Sequence, residues 1–158
     1  MRVFRLQKQK YGSDFSGKGS NTFSGRWNIK GSDLLILYTT SNRSLALLEK
    51  IDSFTTEKGV LPPKFIMLEL EIPDHDVLYI EEKSLPNGWN NDIDKYSSQA
   101  FGMAWLKSLE TLAISVPSVI SMDRNVLINP QHPRVNQINL VGSIKGFPID
   151  KRLMKKKE

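Results

Sequence analysis

The chain has 158 residues, of which 39% are hydrophobic and 25% charged, the balance of an ordinary soluble globular protein. It contains no cysteine, which excludes disulfides, thiolate chemistry and cysteine-based zinc sites, and with two histidines a metal site would depend on carboxylates. The net charge of +5 suits nucleic acid, an anionic small molecule or an acidic partner protein, or is no more than a solubilising surface charge.

The length and hydropathy predict one domain over residues 1–150, followed by a basic tail over residues 151–158 that forms a solvated end. No apolar run approaches the roughly 20 residues that span a bilayer. The N-terminal sequence MRVFRLQKQK lacks the apolar region of a secretory signal. We therefore expect a cytoplasmic protein that has no membrane contact.

The first part of the chain predicts a strand, a long loop, a second strand and a helix. A short strand over residues 3–6 would place neighbouring side chains on opposite faces. Residues 11–25 are rich in glycine and serine, which predicts a loop packed by its aromatic residues. The apolar run 34–40 predicts a buried strand.

The helix that follows is expected to begin at a cap formed by Ser41 or Ser44 and to run to about Phe54. Its spacing of apolar residues predicts the inward face Leu47, Leu48, Ile51 and Phe54.

The second part predicts mainly strands. Residues 64–72 alternate and favour a half-buried strand, and residues 77–80 favour another. Residues 98–109 predict a helix that faces inward with Phe101, Ala104, Trp105 and Leu109. Further short strands are expected at 111–116, 119–122, 125–128, 138–141 and 144–147. Strands with two inserted helices indicate an α+β fold.

Arg26 is the first candidate for a binding role, in the loop GRWN at residues 25–28. A guanidinium binds phosphate through two parallel hydrogen bonds, which lysine cannot match. Gly25 allows close backbone approach, and Trp27 offers a flat face on which a ring can stack. The same residues also fit an exposed loop arginine beside a core tryptophan.

Glu49 and Tyr38 follow within the next two elements. Glu49 has no cation three or four positions away on its predicted helix, where Asp52 is one neighbour. It is therefore either solvated or directed at something else. Tyr38 stands near the end of an apolar strand, where its hydroxyl needs a partner if it is buried and only water if it is exposed.

Ser118 and Asn129 each stand where a predicted strand opens into a loop. Ligand contacts are common at such places, but turn chemistry alone also favours these residue types there. His132 is expected on the loop surface. The sequence contains no Walker loop, Rossmann glycine fingerprint or zinc motif.

Taken together, the motifs resemble the RES family of toxins from bacterial toxin–antitoxin pairs, named after an arginine, a glutamate and a serine in that order. The resemblance covers nearly the whole chain, and its motifs are specific only as an ordered set. They are FRL at 4–6, GRWN at 25–28, LYTT at 37–40, LALLE at 45–49, VPS at 116–118 and LINPQHP at 127–133. Residues 84–97 match no motif of the family.

The resemblance implies roles for individual residues. It matches Arg26, Glu49 and Ser118 to the residues that name the family. It also matches three further positions to family residues, namely the first arginine Arg5, the strand tyrosine Tyr38 and the late asparagine Asn129. The implied catalytic set is Arg26, Tyr38 and Glu49, and the implied NAD-binding set is Arg5, Trp27, Ser118 and Asn129.

The resemblance also implies a fold and an activity. The fold is α+β and ADP-ribosyltransferase-like, with two small packed antiparallel-type sheets, inserted helices and a central NAD cleft. The activity is destruction of NAD+ by loss of nicotinamide, as a glycohydrolase or phosphorylase. NAD+ is then the substrate, and neither a cofactor nor a metal is expected. Some relatives are instead thought to transfer ADP-ribose to a protein.

The implied partner is an Xre-like antitoxin with a helical DNA-binding part, which blocks the cleft in a hetero-oligomer. The toxin itself is not expected to bind nucleic acid.

The residue types suit this chemistry. Cleavage of the nicotinamide–ribose bond passes through an oxocarbenium-like state, as in glycoside hydrolysis. Nicotinamide leaves NAD+ as a neutral molecule, so one carboxylate that stabilises the developing positive charge is sufficient. We expect Glu49 to fill that role, Arg26 to bind the pyrophosphate and Tyr38 to pack near nicotinamide or ribose. Which of these two groups Ser118 and Asn129 each bind stays open.

A nucleic-acid-binding module or ribonuclease toxin is the alternative from a different functional class. It draws on the net charge of +5 and on the lysine-rich residues 151–157. Phosphate contacts would make its binding fall steeply with salt. The tail would then be essential, whereas an NAD-consuming enzyme would need it little.

Overall fold

The computed structural model describes residues 1–51, 54–56 and 63–156, and every structural statement below concerns these residues. They form two α-helices and nine strands. The helices are α1 (Arg43–Leu48) and α2 (Tyr96–Ser108). The strands are β1 (Arg2–Lys8), β2 (Leu37–Thr40), β3 (Thr55–Thr56), β4 (Phe65–Glu71), β5 (Val77–Tyr79), β6 (Ala113–Pro117), β7 (Arg124–Ile128), β8 (Asn139–Lys145) and β9 (Lys155–Lys156).

Seven of the strands form one sheet in the order β5-β6-β7-β2-β1-β4-β8. The junction at its centre is thin, because β1 and β2 share a single residue pair, Phe4 opposite Thr40. The sheet therefore divides into two halves, β5-β6-β7-β2 and β1-β4-β8. Within it, β5 and β6 run parallel and the other neighbours run antiparallel. This arrangement confirms the predicted α+β class, with mostly antiparallel pairing in one mixed sheet.

A cluster of buried side chains joins the two halves. It includes Val3 and Leu70 from one half, and Leu37, Val126 and Ile128 from the other. Their burial removes apolar surface from water on both sides of the thin junction. The two halves are thus packed against each other as well as hydrogen-bonded.

Each half also carries a helix on another cluster. The helix α2 buries Trp105 and Leu106 against Ile114 and Leu127 of the first half. The helix α1 buries Ala46 in a cluster with β1 and β4. The two helices therefore cover different halves, and the loop over residues 25–28 lies under α2.

Three strand predictions differ from the structure for local reasons. The strand predicted at 34–40 begins at Leu37, because the N–H groups of Leu35 and Ile36 donate to the side chains of Gln131 and Ser20. Residues 119–122 are bends rather than a strand, since serine hydroxyls accept from backbone N–H groups there. The strands predicted at 138–141 and 144–147 are one edge strand, β8.

The predicted half-buried strand at 64–72 is β4, and it is buried on both faces. Phe65 and Met67 are as buried as Ile66 and Leu68. The reason is its place in the sheet, between β1 and β8, with clusters on either side.

Both helix predictions need correction at the ends. The helix α1 ends at Leu48 rather than near Phe54, and its cap is Asn42, whose side chain accepts from the Leu45 N–H. Its buried residues are Leu45 and Ala46, while Leu47 and Leu48 are half-buried.

In α2 the prediction of Trp105 as inward is confirmed, and Phe101 is half-buried. Ala104 and Leu109 are exposed instead, and Gly102 is buried. Leu109 follows the helix with φ 52°, a left-handed conformation that ends it.

The start of the basic tail rests against the domain. A 3-10 turn at Lys151–Leu153 places Leu153 against the cluster under α1. The strand β9 then pairs in parallel with β3. In the described parts of the chain, no helix has the length and apolar character that crossing a membrane requires.

Gly102 gives a test of the packing of α2 on the loop beneath it. A Cβ at this position would lie 2.2 Å from the Trp27 carbonyl oxygen, so alanine forces the helix and loop apart. We expect Gly102→Ala to lower the free energy of unfolding by roughly 1–3 kcal/mol, although alanine normally favours a helix. Urea denaturation followed by circular dichroism measures the change.

The matched control is Ala104→Gly on the exposed face of the same helix, which should cost about 1 kcal/mol through helix propensity alone. A Gly102→Ala variant more stable than the wild type would contradict the close packing.

Candidate functional site

The loop GRWN is tied to β2 by one hydroxyl and one amide. The Tyr38 hydroxyl donates to Asn28 Oδ1 at 2.7 Å and accepts from the Trp27 N–H at 3.2 Å. Asn28 is fully buried, and its Nδ2 donates to the carbonyl oxygens of Ser20 and Phe23. The conformation of the loop around Arg26 therefore depends on the hydrogen bonds of the Tyr38 hydroxyl and the Asn28 amide.

Gly25 is required at its position by the same network. A Cβ there would lie 2.6 Å from both the Tyr38 hydroxyl and Asn28 Oδ1. The Gly25 N–H also donates to Asn28 Oδ1 at 3.1 Å. Gly25 thus allows the tyrosine and the loop to meet, a contact that the sequence motif alone did not reveal.

Tyr38 is a neutral hydroxyl near two opposite charges. Burial raises the pKa of its phenol well above the usual range, and the negative charge of Glu49 adds to the rise. The hydrogen bond from the Trp27 N–H and the positive charge of Arg26 oppose it. The phenol therefore keeps its proton at neutral pH, and it lies close enough to both Glu49 and Arg26 for their charges to act on it.

Arg26 is held by residues 89–92, from the segment that matched no motif. Its Nη1 donates to the carbonyl oxygens of Trp89 and Asn91, both at 2.9 Å, and its Nη2 pairs with the Asp92 carboxylate. The arginine side chain is 14% exposed and the aspartate 84%. Arg26 is therefore oriented by backbone carbonyls on its protein side, with an exposed carboxylate at its outer edge.

Glu49 directly follows α1, and it is exposed. Its Oε1 accepts from Asn125 Nδ2 at 2.8 Å and from Ser118 Oγ at 3.3 Å. Ser118 Oγ in turn accepts from the Ile120 N–H. The described residues give the second carboxylate oxygen, Oε2, no hydrogen bond, so Glu49 is anchored through one oxygen.

Asn125 was missed by the sequence analysis, which treated it as the start of an ordinary strand. Its Oδ1 is buried and has no hydrogen-bond partner in the described part of the chain. A buried acceptor in this state costs about 1–3 kcal/mol. A polar residue at the head of an apolar strand that pairs with β2 was the available signal.

Two further cationic side chains belong to this region. Arg5 is half-buried, and its Nη1 donates to the Tyr38 carbonyl oxygen at 2.8 Å. Burial lowers the pKa of Arg5, while the charge of Asp14 opposes the shift. Burial also lowers the pKa of Lys50, as do the charges of Arg5 and Lys8, while Glu49 raises it. Sequence reasoning had not singled out Lys50.

The structure brings most of the predicted site residues together. The charges of Arg26 and Glu49 both act on the Tyr38 phenol and shift its pKa, and Arg5 binds the Tyr38 backbone. Ser118 joins them through Glu49. A carboxylate and cationic groups thus share one region, which suits a ligand carrying both anionic groups and a developing positive charge.

Trp27 and Asn129 are placed elsewhere. The Trp27 ring is buried, stacked on Trp89 at 6.0 Å between centroids and edge-on to Phe101, so both neighbours belong to the core. Asn129 is also buried, and its amide donates to the Leu106 carbonyl oxygen and accepts from the Gln131 N–H. Both side chains are occupied by contacts that hold the fold.

His132 is buried at 1% exposure, so the prediction of a loop-surface position is wrong. Its Nε2 lies 3.1 Å from the Leu109 carbonyl oxygen, and its Nδ1 accepts from the Arg134 N–H. The ring bridges the turn after α2 and the turn after β7. Among the residues that the structure describes, no group of three or more histidine, aspartate or glutamate side chains could hold a metal ion.

Comparison with known proteins adds a family and a fold. The RES domain model matches residues 2–150. A Toxin Res of Yersinia enterocolitica is 31% identical over 97% of this chain and 99% of its own length. A Prs ADP-ribosylating toxin of Sphingobium sp. is 35% identical over 90% of this chain and 88% of its own.

A solved structure shares the fold. The M. tuberculosis MbcT–MbcA toxin–antitoxin complex contains a chain that superposes with a TM-score of 0.72. The alignment covers 91% of this chain and 82% of that one, at 18% identity. This likeness, together with the strand order, supports the α+β, ADP-ribosyltransferase-like architecture.

The Tyr38 hydroxyl gives a test that depends on pH. Above a pH of about 10 an unfolded tyrosine ionises, whereas the buried phenol of Tyr38 stays protonated. The unfolded state then binds fewer protons than the folded state, so this group makes stability fall as pH rises beyond 10. Phenylalanine has no ionisable hydroxyl, so it contributes no such dependence of stability on pH.

We therefore expect Tyr38→Phe to lose about 1–3 kcal/mol of stability at pH 8, where the Trp27 N–H loses its acceptor. The difference from the wild type should shrink between pH 10 and 11, as measured by urea denaturation. Tyr96→Phe, at a 77% exposed residue, is the control and should show no such trend. A Tyr38→Phe difference that is constant with pH would contradict the burial of the phenol.

Proposed function

The chain belongs to the RES domain family of toxins, and on this premise we propose that it depletes NAD+ by breaking the nicotinamide–ribose bond. The observation that carries the proposal is the Glu49 carboxylate, which is exposed and anchored through one oxygen by Ser118 and Asn125. A fixed carboxylate whose second oxygen has no hydrogen bond from the described residues is suited to stabilise positive charge on a sugar.

In the proposed reaction the bond between ribose C1′ and the pyridinium nitrogen breaks. The electron pair of this bond goes to the ring, so nicotinamide leaves neutral and the ribose carries the positive charge. Glu49 stabilises that charge, and the acceptor oxygen then attacks C1′ and loses its proton. Tyr38 keeps its own proton, so it holds and packs the ligand rather than acting as a base.

Arg26 and Arg5 supply the charge that an anionic dinucleotide needs. The bonds from Trp89 and Asn91 orient the Arg26 guanidinium, and the exposed Asp92 carboxylate occupies the edge where a pyrophosphate would compete. Arg5 binds the Tyr38 carbonyl oxygen. Two cationic side chains in this region favour NAD+ over a neutral nucleoside. NAD+ is the substrate, and the proposal requires no cofactor.

Transfer of ADP-ribose to a protein is the second candidate. The relative from Sphingobium sp., which is 35% identical, is called an ADP-ribosylating toxin. Glu49 would stabilise the same transition state in a transferase, and only the acceptor of the ribose would differ. The acceptor therefore decides between glycohydrolase, phosphorylase and transferase.

We also propose that the toxin is paired with an antitoxin. The M. tuberculosis chain of the same fold was solved in a toxin–antitoxin complex. We expect an Xre-like partner with a helical DNA-binding part, which would block the site in a hetero-oligomer. The toxin would then act on the cytoplasmic NAD+ pool when the partner is lost, without itself binding nucleic acid.

Nicotinamide release tests the proposal directly. Purified protein without a partner is mixed with NAD+, and free nicotinamide is followed by chromatography. Glu49→Gln should reduce release about 100-fold or more with an unchanged melting temperature, because the side chain is exposed. Glu71→Gln, at an exposed carboxylate at the end of β4, is the control and should behave as the wild type.

Wild-type turnover by Glu49→Gln would refute the assignment of Glu49. Release that requires an added protein, with label from NAD+ appearing on that protein, would favour the transferase instead.

Arg26→Lys tests phosphate recognition separately. Lysine keeps the charge but cannot bond Trp89 and Asn91 while also presenting a planar fork to a phosphate. We expect the KM for NAD+ to rise about 10-fold or more. Arg2→Lys, whose arginine is 62% exposed and pairs with Glu69, should leave KM unchanged. An unaltered KM in Arg26→Lys would exclude Arg26 from pyrophosphate binding.

A further inference from the structure

Among the residues that the structure describes, Asn125 makes the shortest hydrogen bond to the Glu49 carboxylate. Its Nδ2 lies 2.8 Å from Glu49 Oε1, compared with 3.3 Å for the Ser118 hydroxyl. The two bonds share one acceptor oxygen, and the shorter contact is the stronger of the two. We propose that Asn125 is a positioning residue that fixes Glu49 for cleavage of NAD+, an inference that rests on the proposed function.

The orientation of the amide is determined by chemistry. A carboxylate only accepts hydrogen bonds, so the NH2 group of Asn125 must face Glu49 and the oxygen must point away. That oxygen is buried without a partner in the described part of the chain. Asn125 therefore holds Glu49 at the expense of an unsatisfied acceptor. By contrast, both ends of the Asn129 amide are bonded.

The backbone of Asn125 is paired with strands on both sides, whereas that of Glu49 stands at the end of a short helix. Asn125 lies in β7, opposite Thr40 of β2 on one side and Val116 of β6 on the other. Glu49 follows a helix of six residues, too short to be stable by itself. The Asn125 amide therefore links the exposed Glu49 carboxylate to a strand that is paired on both sides.

The type of residue also matters. A lysine or arginine at position 125 would hold the carboxylate but offset the negative charge that stabilises the sugar cation. The amide is neutral, so it fixes the geometry and leaves the charge in place. Both donors bind Oε1, which leaves Oε2 to face the ligand.

Asn125→Leu removes the donor and the unsatisfied acceptor together. We expect kcat for nicotinamide release to fall 10- to 100-fold, KM for NAD+ to change less than threefold, and the melting temperature to stay or rise. Asn129→Leu is the contrasting variant, because it breaks two satisfied hydrogen bonds and should lower the melting temperature. A merely structural asparagine at position 125 would behave like Asn129.

The Asn125→Asp variant tests the pH dependence of the rate, which a purely structural role of Asn125 would leave unchanged. It places a second carboxylate beside Glu49, and two carboxylates at hydrogen-bond distance do not both ionise easily. We expect the acid limb of the pH–rate profile to shift to higher pH. The other charged or titratable groups around Glu49 are the same in both proteins, namely Arg5, Arg26, Tyr38 and Lys50.

These variants distinguish the positioning role of Asn125 from the proposed cleavage of NAD+. If Glu49→Gln abolishes release but Asn125→Leu keeps the wild-type kcat, the positioning role is overturned and the proposed function stands. A loss in Asn125→Leu that merely follows a lowered melting temperature also overturns it. If Glu49→Gln itself retains activity, the proposed function falls and this inference falls with it.

Discussion

The hydrogen bonds around the Tyr38 hydroxyl are the constraint on which the rest of the site depends. The hydroxyl joins a strand of the first half-sheet to the loop that carries Arg26, through Asn28 and the Trp27 N–H. The contact is so close that Gly25 admits no side chain. Because the network is buried, its groups are far more costly to leave unpaired than they would be in water. A single side chain thus relates the positions of the arginine and the glutamate.

The second constraint is that neutral groups fix the direction of the charged side chains. Two carbonyl oxygens orient Arg26, and a hydroxyl and an amide orient Glu49. The carboxylate that pairs with Arg26 is the exposed Asp92 at its outer edge. The hydrogen bonds of Glu49 come from Ser118 and Asn125 instead, so the two charged groups keep separate positions.

The sequence predicted those features that depend on local hydrophobic patterning or on the order of the motifs. The α+β class, the first strand and the joining of Arg26, Tyr38, Glu49 and Ser118 in one region followed from hydrophobic patterning and from ordered motifs. The sequence-based predictions were wrong where contacts between distant segments determine the bounds of a strand or the burial of a side chain. Side-chain acceptors shortened β2, and buried hydrogen bonds placed His132 inside. The local signal of Asn125 is only its place at the head of an apolar strand, since its partner Glu49 is 76 residues away.

That long separation has a consequence for synthesis of the protein on the ribosome. The groups that hold Glu49 are 69 and 76 residues further along the chain, and β1 must wait for β4 before it has a partner along its length. Contacts between such distant segments form late, because closing large loops precedes any gain from them. An emerging chain carries its arginine and its glutamate early but cannot assemble them. The hydrogen bonds that hold Glu49 can therefore form only after the segment that contains Ser118 and Asn125 has been synthesised.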